Sequence, residues 1–409
     1  MNKLIFLTTF LLLAILIDSE ACTTAVVSGK YTPDGRPLLW KHRDTWALNN
    51  KIVQFTDGKY SYSGLVNSGD PEGKSIWGGF NSAGFAIMNS ASYNLNNDTI
   101  TQSGLEGRLM KKALQICATI DDFEELLREL PRPIRLESNF GVIDAQGGAA
   151  YFELGNFKYV KIDANDPTVA PFGYLIRTNY STTGKMGIGG GYIRYVTADK
   201  AFKMAVKEHR LTPKTILQEV SRDLTHSLTN TDLNDYAEIS ENHTTMVMFQ
   251  DYIPRKSTSS SLVVQGVRKG ESPDCTTMWT TLGSPLTSVT VPIWLSNKTH
   301  LPKIVSYDEK LKDSPLCYLA LELKKKCFPY EWGTSSKYYM DINAVINADQ
   351  TGTLQVLKPM EDHVFEWANN MLEKWRADQI DYEELQNFYK RLDMEIPAFY
   401  LKYFNLNLQ

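Results

Sequence analysis

The chain has 409 residues, 43% of them hydrophobic and 11% aromatic, enough to bury a large core. Its 43 basic and 47 acidic residues leave no basic excess, which excludes a nucleic-acid or anionic-lipid face and points to a small-molecule or peptide partner. The six histidines are scattered, and neither C-x-x-C nor H-E-x-x-H occurs, so the sequence offers no metal site and implies no cofactor.

In chain order, Lys3 precedes an apolar run over 4–17, interrupted only by Thr8 and Thr9, and then Asp18-Ser19-Glu20-Ala21-Cys22. This is a positive start, an apolar stretch and a small-x-small cleavage site, with Ser19 and Ala21 as the small residues. The run is shorter than the roughly 20 residues of a spanning helix, so residues 1–21 read as a removable export signal and the mature chain begins at Cys22. A lipoprotein signal, with Cys22 as an acylated tether, is the competing reading; Ser19 and the charged Glu20 fit it poorly. Export would place the protein in the periplasm or outside the cell. Five cysteines, Cys22, Cys117, Cys275, Cys317 and Cys327, are an odd number, which a free reactive thiol would produce. Cys317 and Cys327 could pair.

After Cys22, β-prone residues 23–29 and 37–41 flank Thr32-Pro33-Asp34-Gly35 and read as a hairpin that starts at Cys22. Two more strand-turn-strand units follow, 75–80 with 85–89 around Asn81-Ser82-Ala83-Gly84, and 139–144 with 149–153 around residues 145–148. Helical periodicity occupies 107–118 and 120–130 between them, then 198–206 and 213–221. Residues 288–295 read as a buried strand, and amphipathic helices are expected over 311–326, 361–377 and 382–392. The pattern is stacked antiparallel sheets with helices outside.

A nucleophile at a chain start has a chemical rationale. A terminal Cys carries its own α-amine, whose ordinary pKa of about 7.7–8.0 leaves it partly neutral and able to take the thiol proton, so no His base is needed. Cys22-Thr23-Thr24, Trp40-Lys41-His42-Arg43-Asp44, Gly79-Phe80-Asn81-Ser82-Ala83-Gly84-Phe85-Ala86 and Arg177-Thr178-Asn179-Tyr180 together resemble the N-terminal-nucleophile hydrolases of the choloylglycine hydrolase and acyl-CoA:6-aminopenicillanate acyltransferase type. The resemblance spans about residues 22–294.

It implies an α+β fold, a four-layer αββα sandwich of two antiparallel sheets between helical layers, with a catalytic domain over 22–302 and a C-terminal helical extension over 303–409. It also implies that Lys41 and Asp44 stand where the family has a basic residue, usually Arg, and an Asp. Asp44 would hold the α-ammonium and the cation would favour the thiolate, with Arg43 as a substitute for Lys41. Asn179 becomes the main oxyanion donor and Asn89 a second, while Arg194 orders the nucleophile's surroundings. As bland alternatives, Asp44 and the two Asn are turn residues and Arg194 a surface residue stacked on its aromatic neighbours.

Cys275-Thr276-Thr277 repeats the Cys22 tripeptide without a free amine and reads as strand, and residues 187–191 read as a glycine-rich loop over the site. The N-x-S/T sequons at Asn97, Asn179, Asn242 and Asn297 matter only in a eukaryotic secretory route. The expected activity is hydrolysis of linear, non-peptide amide bonds in small N-acyl substrates through a thioester. Acyl transfer at the same site, a Cys-type dipeptidase and a lipid-anchored binding protein are the rivals. The partner is a small-molecule amide; assembly is open, a homo-oligomer included.

Overall fold

A computed structural model describes residues 21–240, 243–333 and 336–408. The export-signal reading therefore lies outside the described residues except for Ala21, as does the sequon at Asn242.

Strand β1 (Ala21–Val27) and β2 (Leu38–Asp44) form the expected hairpin, with Cys22 opposite Arg43 and Thr24 opposite Lys41. A continuous meander follows: β3 (Asn50–Phe55), β4 (Tyr62–Asn67), β5 (Gly78–Asn81), β6 (Ala86–Ala91), β7 (Ser138–Ile143), β8 (Ala149–Leu154) and β9 (Tyr159–Asp163) make a seven-stranded antiparallel sheet in sequence order. Helices α1 (Glu106–Ile116) and α2 (Ile120–Glu129) interrupt it between β6 and β7. They cover its outer face with Leu109, Met110, Leu114, Phe123 and Leu127. Thr119 and Asp122 close a reciprocal cap at the α2 start, so that helix begins where its sequence signals.

Next come β10 (Tyr174–Arg177), α3 (Tyr192–Lys207) and α4 (Pro213–Gln218). The strands β11 (Thr225–His226) and β12 (Thr231–Asp232) form one short ladder, and β13 (Met246–Met248) pairs with the late β17 (Tyr339–Asp341) in another. With β14 (Thr258–Gln265), β15 (Thr277–Leu282) and β16 (Val291–Ile293), a second antiparallel sheet has the order β10-β1-β2-β14-β15-β16. The hairpin that carries Cys22 is thus central in its sheet.

The two sheets lie face to face through Val26, Leu39 and Met88. Gly141 is required at the closest approach, where a Cβ would stand 2.3 Å from Met88 Cε and 2.8 Å from Val26 Cγ2. Helices α3 to α7 occupy the other side of the six-stranded sheet, so the architecture is the α+β four-layer αββα sandwich expected.

Helix α5 runs Pro315–Cys327, α6 Thr353–Ala377 and α7 Tyr382–Phe404. The last two are longer than expected because Pro359 and Pro397 lie inside them, where a proline ordinarily marks a break. Trp279 stacks on Phe365 with centroids 4.7 Å apart, and Trp294 meets Trp375 edge-on at 5.2 Å, which seals these helices to the sheet. Glu361 on α6 is fully buried and takes both Arg222 Nη atoms at 2.7 and 2.8 Å and the Thr290 backbone N–H at 2.9 Å.

Two expectations need correction. Cys317 and Cys327 are both free, because they stand ten positions apart on one helix, about 15 Å along its axis and beyond the reach of a disulfide. The buried strand over 288–295 shrinks to β16, since only Met278 to Thr280 of β15 offer it partners. Among the described residues no helix is long and apolar enough to cross a membrane.

Candidate active site

In an antiparallel pair, directly opposed residues share a face. Cys22, Thr24, Lys41 and Arg43 therefore project between the two sheets, and Thr23, His42 and Asp44 project toward the helices. Thr24 Oγ1 meets Tyr151 OH of β8 at 2.8 Å, and Lys41 Nζ donates to Asn89 Oδ1 of β6 at 2.6 Å, so the first face is the inner one. There Cys22, Lys41, Arg43 and Asn89, with Trp77, Ala91, Tyr93, Glu106 and Glu137, line a pocket of about 280 Å³.

Lys41 and Arg43 are both 1% exposed, and both line the pocket with Cys22. Arg43 donates Nη1 to Asn50 and Asn67 at 3.0 and 2.8 Å and lies 4.5 Å over the Trp77 ring, while Lys41 Nζ lies 5.7 Å from it. The sequence offered Arg43 as a substitute for Lys41; the structure seats the two side by side. Asn89 holds Lys41 with its oxygen and donates Nδ2 to Ser138 Oγ at 3.0 Å. Glu137 accepts from Leu95 N at 2.6 Å, and burial raises its carboxyl above the ordinary range.

Asn179 stands across from Cys22. The β1–β10 register matches Thr24 with Arg177, and two residues further it reaches Cys22 and Asn179. The Asn179 backbone, however, is bonded both ways to Gly190, and it is the side-chain Oδ1 that receives the Cys22 backbone N–H at 3.2 Å. The same oxygen takes Arg194 Nη2 at 2.8 Å, and Asn179 Nδ2 donates to Ala91 O at 3.2 Å. The residue is 2% exposed, so its sequon is closed to a glycan, whereas Asn97 and Asn297 are exposed.

Arg194 lies in the first turn of α3, buried rather than on the surface. Its Nη1 donates to Cys22 O and Thr23 Oγ1, each at 2.7 Å. Burial, with Arg255 nearby, lowers its guanidinium to about 10. Gly191 opens this helix at φ 84°, and a Cβ there would meet Arg194 Nη2 at 2.5 Å. The glycine-rich loop over 187–191 is thus what lets Asn179 and Arg194 converge.

Asp44, 1% exposed, sits behind this layer. Thr258 Oγ1 donates to its Oδ1 at 2.7 Å, Arg255 Nη1 approaches Oδ2 at 3.4 Å, and His42 Nε2 is 3.9 Å away. The acceptor on the Cys22 nitrogen is Asn179. His42 is fully buried, and burial pushes its pKa down to about 4 against the pull of Asp44. Trp77, Thr258 and Arg255 were not singled out from sequence; the last two lie more than two hundred residues beyond Asp44, and no local motif marks them. Cys275, the other Cys-Thr-Thr, lies not in a strand but at the end of a 3-10 turn away from the pocket, where it alone of the turn is buried, and the strand begins at Thr277. Among the described residues no group of three metal-ligating side chains forms.

A scan of protein-family models matches none, and a search of characterised sequences finds no match. Solved structures of similar shape exist. A Caenorhabditis elegans ortholog of N-acylethanolamine-hydrolyzing acid amidase is 14% identical over 62% of this chain and 93% of its own, with a TM-score of 0.40. A variant of conjugated bile acid hydrolase from Clostridium perfringens is 12% identical over 67% and 92%, with a TM-score of 0.42. Penicillin V acylase from Agrobacterium tumefaciens is 13% identical over 68% and 89%, with a TM-score of 0.39. At these values the likeness carries no chemistry to this chain, which rests on its own geometry.

Proposed function

We propose that this chain is an exported amidohydrolase in which Cys22, made the first residue by loss of 1–21, cleaves linear amide bonds of small N-acyl substrates. The observation that carries the reading is the seat of the Cys22 nitrogen. A central strand would normally continue its ladder at that point, yet the nitrogen is met by a buried side-chain oxygen that Arg194 braces. That arrangement suits a chain terminus.

With the terminus free, the neutral α-amine takes the thiol proton, and the adjacent Lys41 and Arg43 charges favour the thiolate. Sulfur attacks the carbonyl carbon, and the tetrahedral oxyanion forms within reach of donors on the pocket wall, Asn89 Nδ2 and Lys41 Nζ, with Asn179 at the nitrogen end. Collapse breaks the C–N bond as the ammonium returns its proton to the leaving amine. Water then attacks the thioester, the amine takes a water proton, and the acid departs with the thiol restored. The pocket, at about 280 Å³, lies just below the roughly 300–1,000 Å³ usual for small-molecule sites, which suits a small acyl group.

The test joins processing to activity. Intact mass should show a chain that starts at Cys22, and a panel of N-acyl amino acids, penicillin-type amides, conjugated bile acids and dipeptides should contain an amide that it hydrolyses. Cys22→Ala should abolish that activity with folding intact, as should one extra residue before Cys22. Undiminished turnover by the extended protein would remove the amine from the mechanism. Release from dipeptides alone would turn the reading to a dipeptidase, and diacylglyceryl mass on Cys22 to a tether.

A further inference from the structure

Helix α5 ends in Lys324-Lys325-Lys326-Cys327, and the three lysines have different fates. Lys325 and Lys326 are exposed, Lys325 beside Glu322 at 2.7 Å, whereas Lys324 is 5% exposed. Seven positions after Cys317 and three before Cys327, it falls on the stripe that α5 turns to the core. A buried ammonium is costly unless its charge and hydrogens are answered.

The answer lies behind the nucleophile. Lys324 Nζ donates to Thr258 O at 2.9 Å, and the same Thr258 donates its Oγ1 to Asp44 Oδ1 at 2.7 Å. Thr258 is also the strand partner of Asp44 in the β2–β14 register. Burial lowers the Lys324 ammonium to about 8, and Asp44 is the strongest charge acting against that fall.

We propose that Lys324 is a positioning residue for the Cys22 site: from the C-terminal helices it fixes Asp44, through the Thr258 carbonyl and through its own charge. The inference rests on the Cys22 reading above. Facing Asp44 are His42 on β2, Arg194 on α3 and Arg255 ahead of β14, with Asp251 acting on Arg194. Also acting on Lys324 are Lys256 and, on its own helix, Cys317 and Cys327. Removing one cation from this cluster makes a proton or an uncharged thiol at Cys22 easier to keep.

Two variants separate the bond from the charge. Lys324→Met removes both; Lys324→Gln keeps an N–H for Thr258 O. On the processed full chain, the rate of Cys22 alkylation by iodoacetamide, followed by peptide mass across pH, should show its midpoint raised by about 0.5 to 1 pH unit in both variants, the size of one charge acting through partly buried protein. On the best amide of the panel, Lys324→Met should also lose about tenfold in kcat at unchanged KM, with Lys324→Gln closer to wild type. A merely structural lysine would leave the alkylation midpoint in place, and an unmoved midpoint in a folded variant overturns the proposal. If Lys324→Met fails to fold, the midpoint of Lys324→Gln decides. Cys22→Ala is assayed alongside: an active Cys22→Ala overturns the underlying reading and this one with it, while an inactive Cys22→Ala with unmoved Lys324 variants overturns this one alone.

Discussion

Cys22 and Asn179 face each other across the end of the β1–β10 ladder, joined by a bond from the Cys22 backbone nitrogen to the Asn179 side-chain oxygen at 3.2 Å. A single oxygen thus connects the candidate nucleophile to Arg194, which returns to Cys22 O and Thr23 Oγ1. Closing this loop fixes the strand end on both sides of the Cys22 Cα. The other polar atom of the Asn179 side chain, Nδ2, is turned to Ala91 O at 3.2 Å.

Asn179→Ala removes the oxygen and leaves Arg194 and the Cys22 nitrogen without it. Because that oxygen seats the nitrogen proposed as the general base, we expect kcat on the best amide to fall roughly 100- to 1000-fold, within the range that general acid–base catalysis supplies, with KM changed little. Steady-state kinetics against wild type and Cys22→Ala check this. A kcat near wild type would move the seating of the Cys22 nitrogen to other groups.

Much of this site is legible in the sequence because its parts lie on short hairpins. The turns at Thr32 to Gly35 and Asn81 to Gly84 set the pairing that brings Cys22, Lys41 and Asn89 to one inner face. Arg194 could be named, but its place in a helix was hidden, since Gly187 to Gly191 read as loop and α3 starts only at Tyr192. What stayed illegible depends on contacts between distant segments. Thr258 and Arg255 carry no signal near Asp44, and Lys324 has one faint mark, a lysine on an otherwise apolar helical stripe. The helix ends differ for a local reason: Pro359 and Pro397 lie inside α6 and α7, where a proline ordinarily breaks a helix, and packing against the sheet keeps both helices continuous.

The C-terminal helices should be integral to stability, because Glu361 places a buried carboxylate between Arg222 and Thr290. Glu361→Ala leaves the Arg222 guanidinium buried without its partner, at an expected cost of about 3–5 kcal/mol. The double variant Arg222→Met with Glu361→Leu should recover much of that loss, since neither charge is then stranded. Urea unfolding of the single and double variants measures both. An unchanged midpoint for Glu361→Ala would show that water reaches the pair and that α6 is held by its aromatic contacts alone.

His42 predicts how stability responds to acid. Its imidazole is fully buried behind Cys22, with Nε2 3.3 Å from Thr258 Oγ1, and burial depresses its pKa to about 4 from an ordinary value near 6.5. Above pH ~6.5 neither the folded nor the unfolded chain protonates this ring, so its contribution there is flat. Between about pH 6.5 and 4 the unfolded chain takes up a proton that the folded chain refuses, so stability falls as pH falls. The slope for one such group is about 1.4 kcal/mol per pH unit, some ~3 kcal/mol across the window. His42→Gln removes the titrating group while keeping polar atoms near Thr258, so its stability should decline less steeply in that window than that of wild type. Urea unfolding at about pH 7.5, 6 and 5 compares the two, and parallel curves would mean that the buried imidazole is protonated in the folded protein, held by Asp44 strongly enough to overcome its burial.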